Sequence, residues 1–290
     1  MNSHRDTAAT ETGRMGYEKQ ESPCLLVSVA AVSLWLFTHM KTSVEMEKPL
    51  LSIPILLYHK IDSLPSDARL RGPYTPPARF ARQMAFLKRQ GTVFYTASEL
   101  IEYFRQNGSF PPNGLAITFD DGWKDNYEKA FPILRRYGVK ATVFLVSSCV
   151  GEISTKAVAE GESARAHLSR EEILEMARYG IEFGSHSVNH RLLNQLSLEE
   201  AKFEVEESKR QIENLLDKPC RAFAYPAGFL TEDVQRVVER AGYITALSTI
   251  YGPTDAVDLY ALNRREILRR DLFIFQFARK VRPLISRSAK

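Results

Sequence analysis

The 290-residue sequence predicts an α/β protein built as a closed or nearly closed (β/α) barrel. Three observations lead there. Short apolar runs with strand character alternate with segments of helical period, from residue 53 almost to the C-terminus. The connections between them are short, as expected of parallel strands joined by crossover helices. The residues with the most chemistry, His59, Asp120, Asp121, His186, Pro226 and Arg264, each fall at or just past a predicted strand end, where such barrels collect their active sites.

The first strand is the apolar stretch 53–58, ending at His59. Phe80, Met84 and Leu87 then share one helical face, as do Leu100, Tyr103 and Phe104 in a second helix. Strand 115–119 precedes a helix with Trp123, Tyr127, Phe131 and Leu134 on one stripe, stopped by Gly138. Strand 141–146 follows. Residues 151–168 show no apolar period and read as an exposed loop. Ser169-Arg170-Glu171-Glu172 opens the next helix with a capping box, in which serine and glutamate each satisfy a backbone N–H at the helix start. Strand 181–183, helix 198–216, strand 222–225, helix 233–241 and strand 243–247 keep the alternation. A last strand at 260–262 and a helix at 272–281 close it.

With 44% apolar and 26% charged residues, the chain can bury one large core. A net charge of +4 with no dense Lys/Arg run argues against a nucleic-acid groove. Cys24, Cys149 and Cys220 have no Cys-x-x-Cys spacing, so neither a disulfide framework nor a cysteine zinc site is indicated. Cys149 and Cys220 read as small core thiols. Residues 24–37 carry no charge, a length between a signal-peptide core and the roughly 20 residues of a spanning helix. Their flanks lack the apolar pattern that would join them to a core. The expected organisation is a tail at 1–23, a signal-peptide core or membrane anchor at 24–40, a linker at 41–52 and a catalytic domain at 53–290, exported or held outside the cytoplasm.

Within that domain, Thr118-Phe119-Asp120-Asp121-Gly122 ends a strand, and His186-Ser187-Val188-Asn189-His190 follows another. In the first strand end, Ala116, Thr118 and Asp120 alternate with Leu115, Ile117 and Phe119. The large set is expected to pack under helices and the small set to face the barrel interior, so Asp120 enters the mouth while Asp121 starts the turn. Histidines at i and i+4 on a helical turn would project both rings to one side. Two histidines and one carboxylate are the ligation of an open catalytic zinc site, which leaves a position for water. The other carboxylate is then free to act as a base.

Together, TFDDG, HSVNH and the later FAYPAG resemble the first three motifs of the polysaccharide deacetylases, the NodB-homology family or carbohydrate esterase family four. The resemblance covers residues 53–268. It implies a distorted (β/α) barrel and metal-dependent removal of acetyl groups, usually from N-acetylated sugars. By position, Asp121, His186 and His190 resemble the ligands of a divalent metal, with Zn2+ the best match, and Asp120 the catalytic base. A backbone N–H of the third motif, at Ala227, would serve the oxyanion.

Amide cleavage also needs an acid for the departing amine, and no histidine follows His190. His59 remains, and it resembles the Tyr-His motif near the start of poly-N-acetylglucosamine deacetylases. A cyclic barrel would set its strand beside the last one. The common Arg-x-Pro-Tyr-Gly pattern stands here as Ala224-Tyr225-Pro226-Ala227-Gly228, without the arginine that orients the base. Arg264, in Leu262-Asn263-Arg264, resembles the Leu-Pro-Arg segment of the same subgroup and is expected to hold Asp120; Arg221 is the weaker alternative, since alternation places it with Phe223. The tryptophan-containing fourth motif is missing. The resulting expectation is a deacetylase of an N-acetylhexosamine polymer, such as an exopolysaccharide or peptidoglycan, with an exopolysaccharide or another surface glycan preferred because the His59 arrangement resembles that subgroup. An O-acetyl esterase and a non-catalytic glycan-binding module are the alternatives, and the full set of four acid and histidine residues disfavours the second.

Overall fold

The computed structural model describes residues 52–66, 68, 71–154, 164–249, 256–271 and 273–285. The apolar segment at 24–40 and its flanks lie outside the described residues. Among the described residues no helix is long and apolar enough to cross a membrane.

Eight strands form one curled, parallel half-barrel sheet. They are β1 (Ile55–Tyr58), β2 (Val93–Tyr95), β3 (Gly114–Phe119), β4 (Thr142–Leu145), β7 (Glu182–Ser185), β8 (Ala222–Ala224), β9 (Thr245–Leu247) and β10 (Arg265–Glu266). Their order is β10-β1-β3-β4-β7-β8-β9, with β2 paired to β3. One edge of β3 is shared: β2 pairs with it as far as Ala116, and β4 takes over at Thr118.

The seam of the curl is closed by one chain segment. Leu262 N donates to Ala246 O and Ser248 N to Leu262 O, beside β9, and a few residues later Arg265 stands opposite Leu56 of β1. The strand expected at 260–262 is thus a single parallel bridge between Leu247 and Leu262, and the neighbour of β1 begins at Arg265. The anticipated meeting of first and last strands does occur, with β10 as the last.

Helices α1 (Pro77–Arg89), α2 (Ala97–Asn107), α3 (Phe131–Tyr137), α4 (Arg170–Tyr179), α5 (Leu198–Leu216), α6 (Glu232–Arg240) and α7 (Ile274–Ile285) complete the fold. Capping boxes open α2, α4 and α5, at Thr96/Glu99, Ser169/Glu172 and Ser197/Glu200. Leu115, Ile117 and Phe119 pack with Phe80, Met84 and Leu87, whereas Ala116 faces a separate interior cluster with Ile55, Phe144, Ala224 and Leu247. This is the two-sided alternation read from the strand.

The second helix has a different task from the others. Ala97 N donates to Thr142 Oγ1, Ser98 N to Glu182, and Arg105 to Ile244 O, while Glu99 pairs with Lys140 and Glu102 with Arg221. All those partners sit at or before the N-terminal ends of strands. α2 therefore plugs that end of the barrel, and its Leu100 and Ile101 join the interior cluster. Chemistry is left to the opposite rim.

Two segments depart from expectation. Residues 151–168 are not simply a loop, because β5 (Ile153–Ser154) and β6 (Arg165–Ala166) pair antiparallel. The hairpin is held by backbone bonds, Lys124 N to Ala166 O and Leu168 N to Gly122 O, which leave no trace in side-chain period. Trp123 does not lie on the α3 stripe; a π-helical turn at Asn126–Ala130 precedes α3, and the indole is engaged elsewhere.

Cys149 is half-buried and Cys220 buried. Burial pushes the Cys220 thiol far above its ordinary value. Ellman's reagent applied to the native protein should leave Cys220 untouched until denaturant is added. Reaction of native Cys220 as fast as Cys149 would contradict this packing.

Candidate metal centre and active site

The turn after β3 gives two consecutive aspartates different surroundings. Asp120 still follows the strand: its N–H donates to Tyr58 O at 3.1 Å, and its carboxylate points inward, 1% exposed. Asp121 has a left-handed φ of 73°, which swings its carboxylate out of the alternation. Gly122 continues at φ 70°, a left-handed conformation that glycine adopts without strain. Trp123 Nε1 donates to Asp121 Oδ2 at 2.8 Å, and His167, stacked on that indole, sets its Nδ1 3.0 Å from Asp121 O.

His186 follows β7, with Nδ1 2.7 Å from Ala224 O. A carbonyl only accepts, so Nδ1 carries the proton and Nε2 offers its lone pair outward. His190 reaches the same place through an irregular loop, not the helical turn expected from the spacing. φ is 66° at Ser187 and 55° at His190, and His190 N donates to Ser187 Oγ at 2.9 Å. Asn189 donates through N and Nδ2 to the Glu204 carboxylate of α5, at 2.8 and 2.9 Å, which pins the loop from below.

The outcome is a compact donor set. His186 Nε2 and His190 Nε2 lie 3.6 and 3.5 Å from Asp121 Oδ1. All three donors fall within 4.8 Å of one another. Ligands about 2.0–2.1 Å from a tetrahedral centre stand about 3.3–3.4 Å apart, so these residues fit a divalent cation. The His186 side chain is 2% exposed and the His190 side chain 39%, which leaves the centre open on one side.

Asp120 sits beside this set with a partner of its own. Arg264, 0% exposed, forks onto it: Nη1 to Oδ1 and Nη2 to Oδ2, both at 2.7 Å. Nε of the same guanidinium donates to Ser248 O at 3.0 Å, and its plane lies over the Phe144 ring. Burial pushes the Asp120 carboxyl up, but the charges of Arg264 and His186 outweigh it and hold the group below its ordinary value. Asp121 is likewise pushed up by burial and brought down further, well below the usual carboxylate range, by His190, His59 and His186. His186 goes the other way: burial dominates the pull of Asp120 and lowers it to about 4, keeping the ring neutral.

The remaining expected residues line the same rim. His59, just past β1, has Nδ1 3.7 Å from Glu266 Oε1 of β10, and its carbonyl accepts from Asn126 Nδ2. Ala227 lies in a short turn, Pro226–Gly228, with a left-handed φ of 54°. Gly228 follows at φ 77°, where a Cβ would fall 2.0 Å from Thr249 Oγ1. Ser248 Oγ donates to Gly228 O, so the turn is tied to the residue whose carbonyl receives Arg264. Arg221 is spent on Glu102 at the plugged end, away from Asp120.

Comparison with known proteins gives the family. The model of the polysaccharide deacetylase family matches residues 107–246. YxkH of Bacillus subtilis (strain 168), named as a polysaccharide deacetylase, is 32% identical over 222 residues, which cover 76% of this chain and 73% of that protein. The chain belongs to the polysaccharide deacetylase family. A poly-beta-1,6-N-acetyl-D-glucosamine N-deacetylase of Staphylococcus aureus (strain N315) is 29% identical over 176 residues, 57% of each chain. Among solved structures, the Streptococcus pyogenes deacetylase PplD in complex with acetate is 28% identical, with a TM-score of 0.68 over 80% of this chain and 99% of that one. IcaB from Ammonifex degensii, 23% identical, shares the fold with a TM-score of 0.65 over 79% of this chain and 97% of that one. This polysaccharide deacetylase is therefore a hydrolase of a generally metal-dependent family, and its Asp/His cluster is where a metal would sit.

Sequence reasoning missed three supports of the deacetylase site. Trp123 falls on a helix stripe by spacing, although its place directly after Asp-Asp-Gly signals that it belongs to the turn. His167 lay in a segment without period. Glu204, 1% exposed on the inner face of α5, interrupts an apolar helix face, and a buried carboxylate is the readable mark of a polar partner.

Two expectations follow. Arg264→Ala leaves the Asp120 carboxylate buried and unpaired, so chemical denaturation should show a loss of about 3–5 kcal/mol. Arg264→Lys should restore only part, having one ammonium in place of a fork. In protein stripped of metal, unfolded His186 takes up a proton below pH about 6.5 that the folded ring refuses until about pH 4. Stability should be fully present above that window and fall as pH drops through it. Melting curves of His186→Gln should show a shallower fall across the same range.

Proposed function

We propose that this deacetylase removes acetyl groups from N-acetylhexosamine units of an extracellular or cell-surface polysaccharide, using a divalent metal, best Zn2+, held by Asp121, His186 and His190. The observation that carries the reading is the pairing, on one rim, of that three-donor cluster with Asp120 kept ionised by Arg264. A bound cation would lower the pKa of a coordinated water and polarise the acetyl carbonyl. Asp120 accepts the proton of the attacking water, and its fixed carboxylate needs no reorganisation to do so. Arg264 positions it. Ala227 presents its N–H to the oxygen that becomes negative, a donor set by backbone and not by side-chain identity. His59 protonates the departing amine, with the Glu266 carboxylate 3.7 Å from its Nδ1.

Amide substrates are favoured over esters because an amine leaves only when protonated, and His59 on the rim provides that acid. The similarity to a staphylococcal poly-beta-1,6-N-acetyl-D-glucosamine N-deacetylase supports an N-acetylglucosamine polymer as the substrate class. Export, by a signal peptide or an uncleaved anchor at 24–40, rests on the uncharged apolar run in the sequence and on the extracellular place of such polymers.

Acetate release from a panel of N- and O-acetylated glycans, with chelator and with zinc restored, tests the reading. N-acetylated polymers should release acetate, chelation should stop it and zinc should return it. Release from O-acetylated glycans alone would establish an esterase instead. Asp120→Asn should retain bound zinc and lose roughly 10²–10⁴-fold in turnover. His59→Ala should slow amide hydrolysis far more than hydrolysis of an activated ester, whose leaving group needs no proton; equal losses would remove it as the acid.

A further inference from the structure

One surface away from the rim is unexplained by deacetylation. α1 and α7 pack side by side, with Phe86 and Phe277 edge to face at 6.0 Å and Arg79 Nη1 donating to Arg269 O. Neither helix contains a carboxylate. Residues 265–290 carry eight Lys/Arg against two Asp/Glu, an excess larger than the +4 of the whole chain, so the remainder is net acidic. The basic charge of this protein is concentrated at one end of its sequence.

Folding then gathers it on one face. Arg82 and Arg89 of α1, Arg269 before α7, and Arg279 and Arg282 of α7 are exposed around this face. Among the described residues none of these five side chains makes an ion pair. Asp271, the nearby carboxylate, is buried and taken by Lys280 and the Leu268 N–H. Beside the cations stand Phe273, Ile274 and Phe275, 58%, 41% and 66% exposed, with the two rings stacked at 5.5 Å. A groove of about 590 Å³ joins both kinds of surface, lined by Arg89, Ile274, Phe275, Arg279, Arg282 and Pro283.

We propose that the α1/α7 face docks the catalytic domain on an anionic lipid bilayer. Arg89, Arg279 and Arg282 meet lipid phosphates, and Phe273, Ile274 and Phe275 enter the boundary between headgroups and acyl chains. A bilayer offers negative charge and an apolar layer within a few ångströms of each other, and this surface has matching halves. A soluble polyanion would satisfy the arginines and leave the phenylalanines in water. The contact does not depend on the apolar run at 24–40; it would set the orientation of a domain that this run could only tether.

The test uses the full chain with Phe275→Trp, read as a difference from the parent so that Trp35 and Trp123 cancel. On vesicles of phosphatidylglycerol and phosphatidylcholine, emission of the introduced indole should move to the blue and be quenched by brominated acyl chains. On phosphatidylcholine alone it should not. R279E/R282E in the same background should weaken this signal at least about tenfold in lipid affinity, with an unchanged melting temperature. An indole that stays in water on phosphatidylglycerol vesicles that capture the protein would overturn the proposal, and would assign capture to the N-terminal run. Equal insertion into both lipids would also overturn it, as would a heparin affinity matching that for vesicles.

Discussion

A buried charge pair organises this molecule. Asp120 and Arg264 are 144 positions apart and both withdrawn from water, and each is tolerable in the interior only because the other is there. The fork of Arg264 fixes the carboxylate in place, and its Nε reaches Ser248 at the end of β9. The pair thus lies across the seam where the segment 259–266 leaves β9 and joins β1. The same guanidinium that spans this seam keeps the Asp120 carboxylate ionised. A pair of this kind adds little to net stability against an apolar substitute, so its presence speaks for chemistry and not for folding.

Around that pair, the backbone is forced into unusual conformations where side chains must be aimed. Among the described residues, six non-glycine positions have positive φ, and four of them are Asp121, Ser187, His190 and Ala227. Each such residue costs roughly 1–3 kcal/mol unless surrounding bonds compensate. Trp123 compensates at Asp121, Glu204 and Ser187 at the histidine loop, and Thr249 at Ala227. The donors converge because loops are bent against local preference and then locked from the second row. Meanwhile α2 seals the other end of the barrel, so that substrate meets the sheet only where these bent loops stand.

Much of this was readable in advance where the signal is local. Alternation along 115–120 separated the helix-packed residues from the interior ones, and the capping box at Ser169 marked the start of α4. The motif residues were found because metal chemistry restricts which residue types can stand together. Elements held by backbone pairing alone were not readable: β2 has three residues between two helices, and the β5/β6 hairpin has no apolar period. The His-x-x-x-His spacing suggested a helix because four residues are one helical turn, yet a loop with two left-handed residues presents the rings equally well.

The sequence by itself determined the fold class, marked Asp121, His186 and His190 as candidate donors, and gave the order in which strand ends deliver them, since these depend on residue type and near-neighbour period. Only the tertiary structure decided that Arg264 and not Arg221 holds Asp120, that Trp123, His167 and Glu204 support the donors, and that cations from α1 and α7 share one face. Those facts depend on which distant segments lie side by side. Distance in space between residues a hundred positions apart is set by the closure of the whole sheet, and no window along the chain contains it.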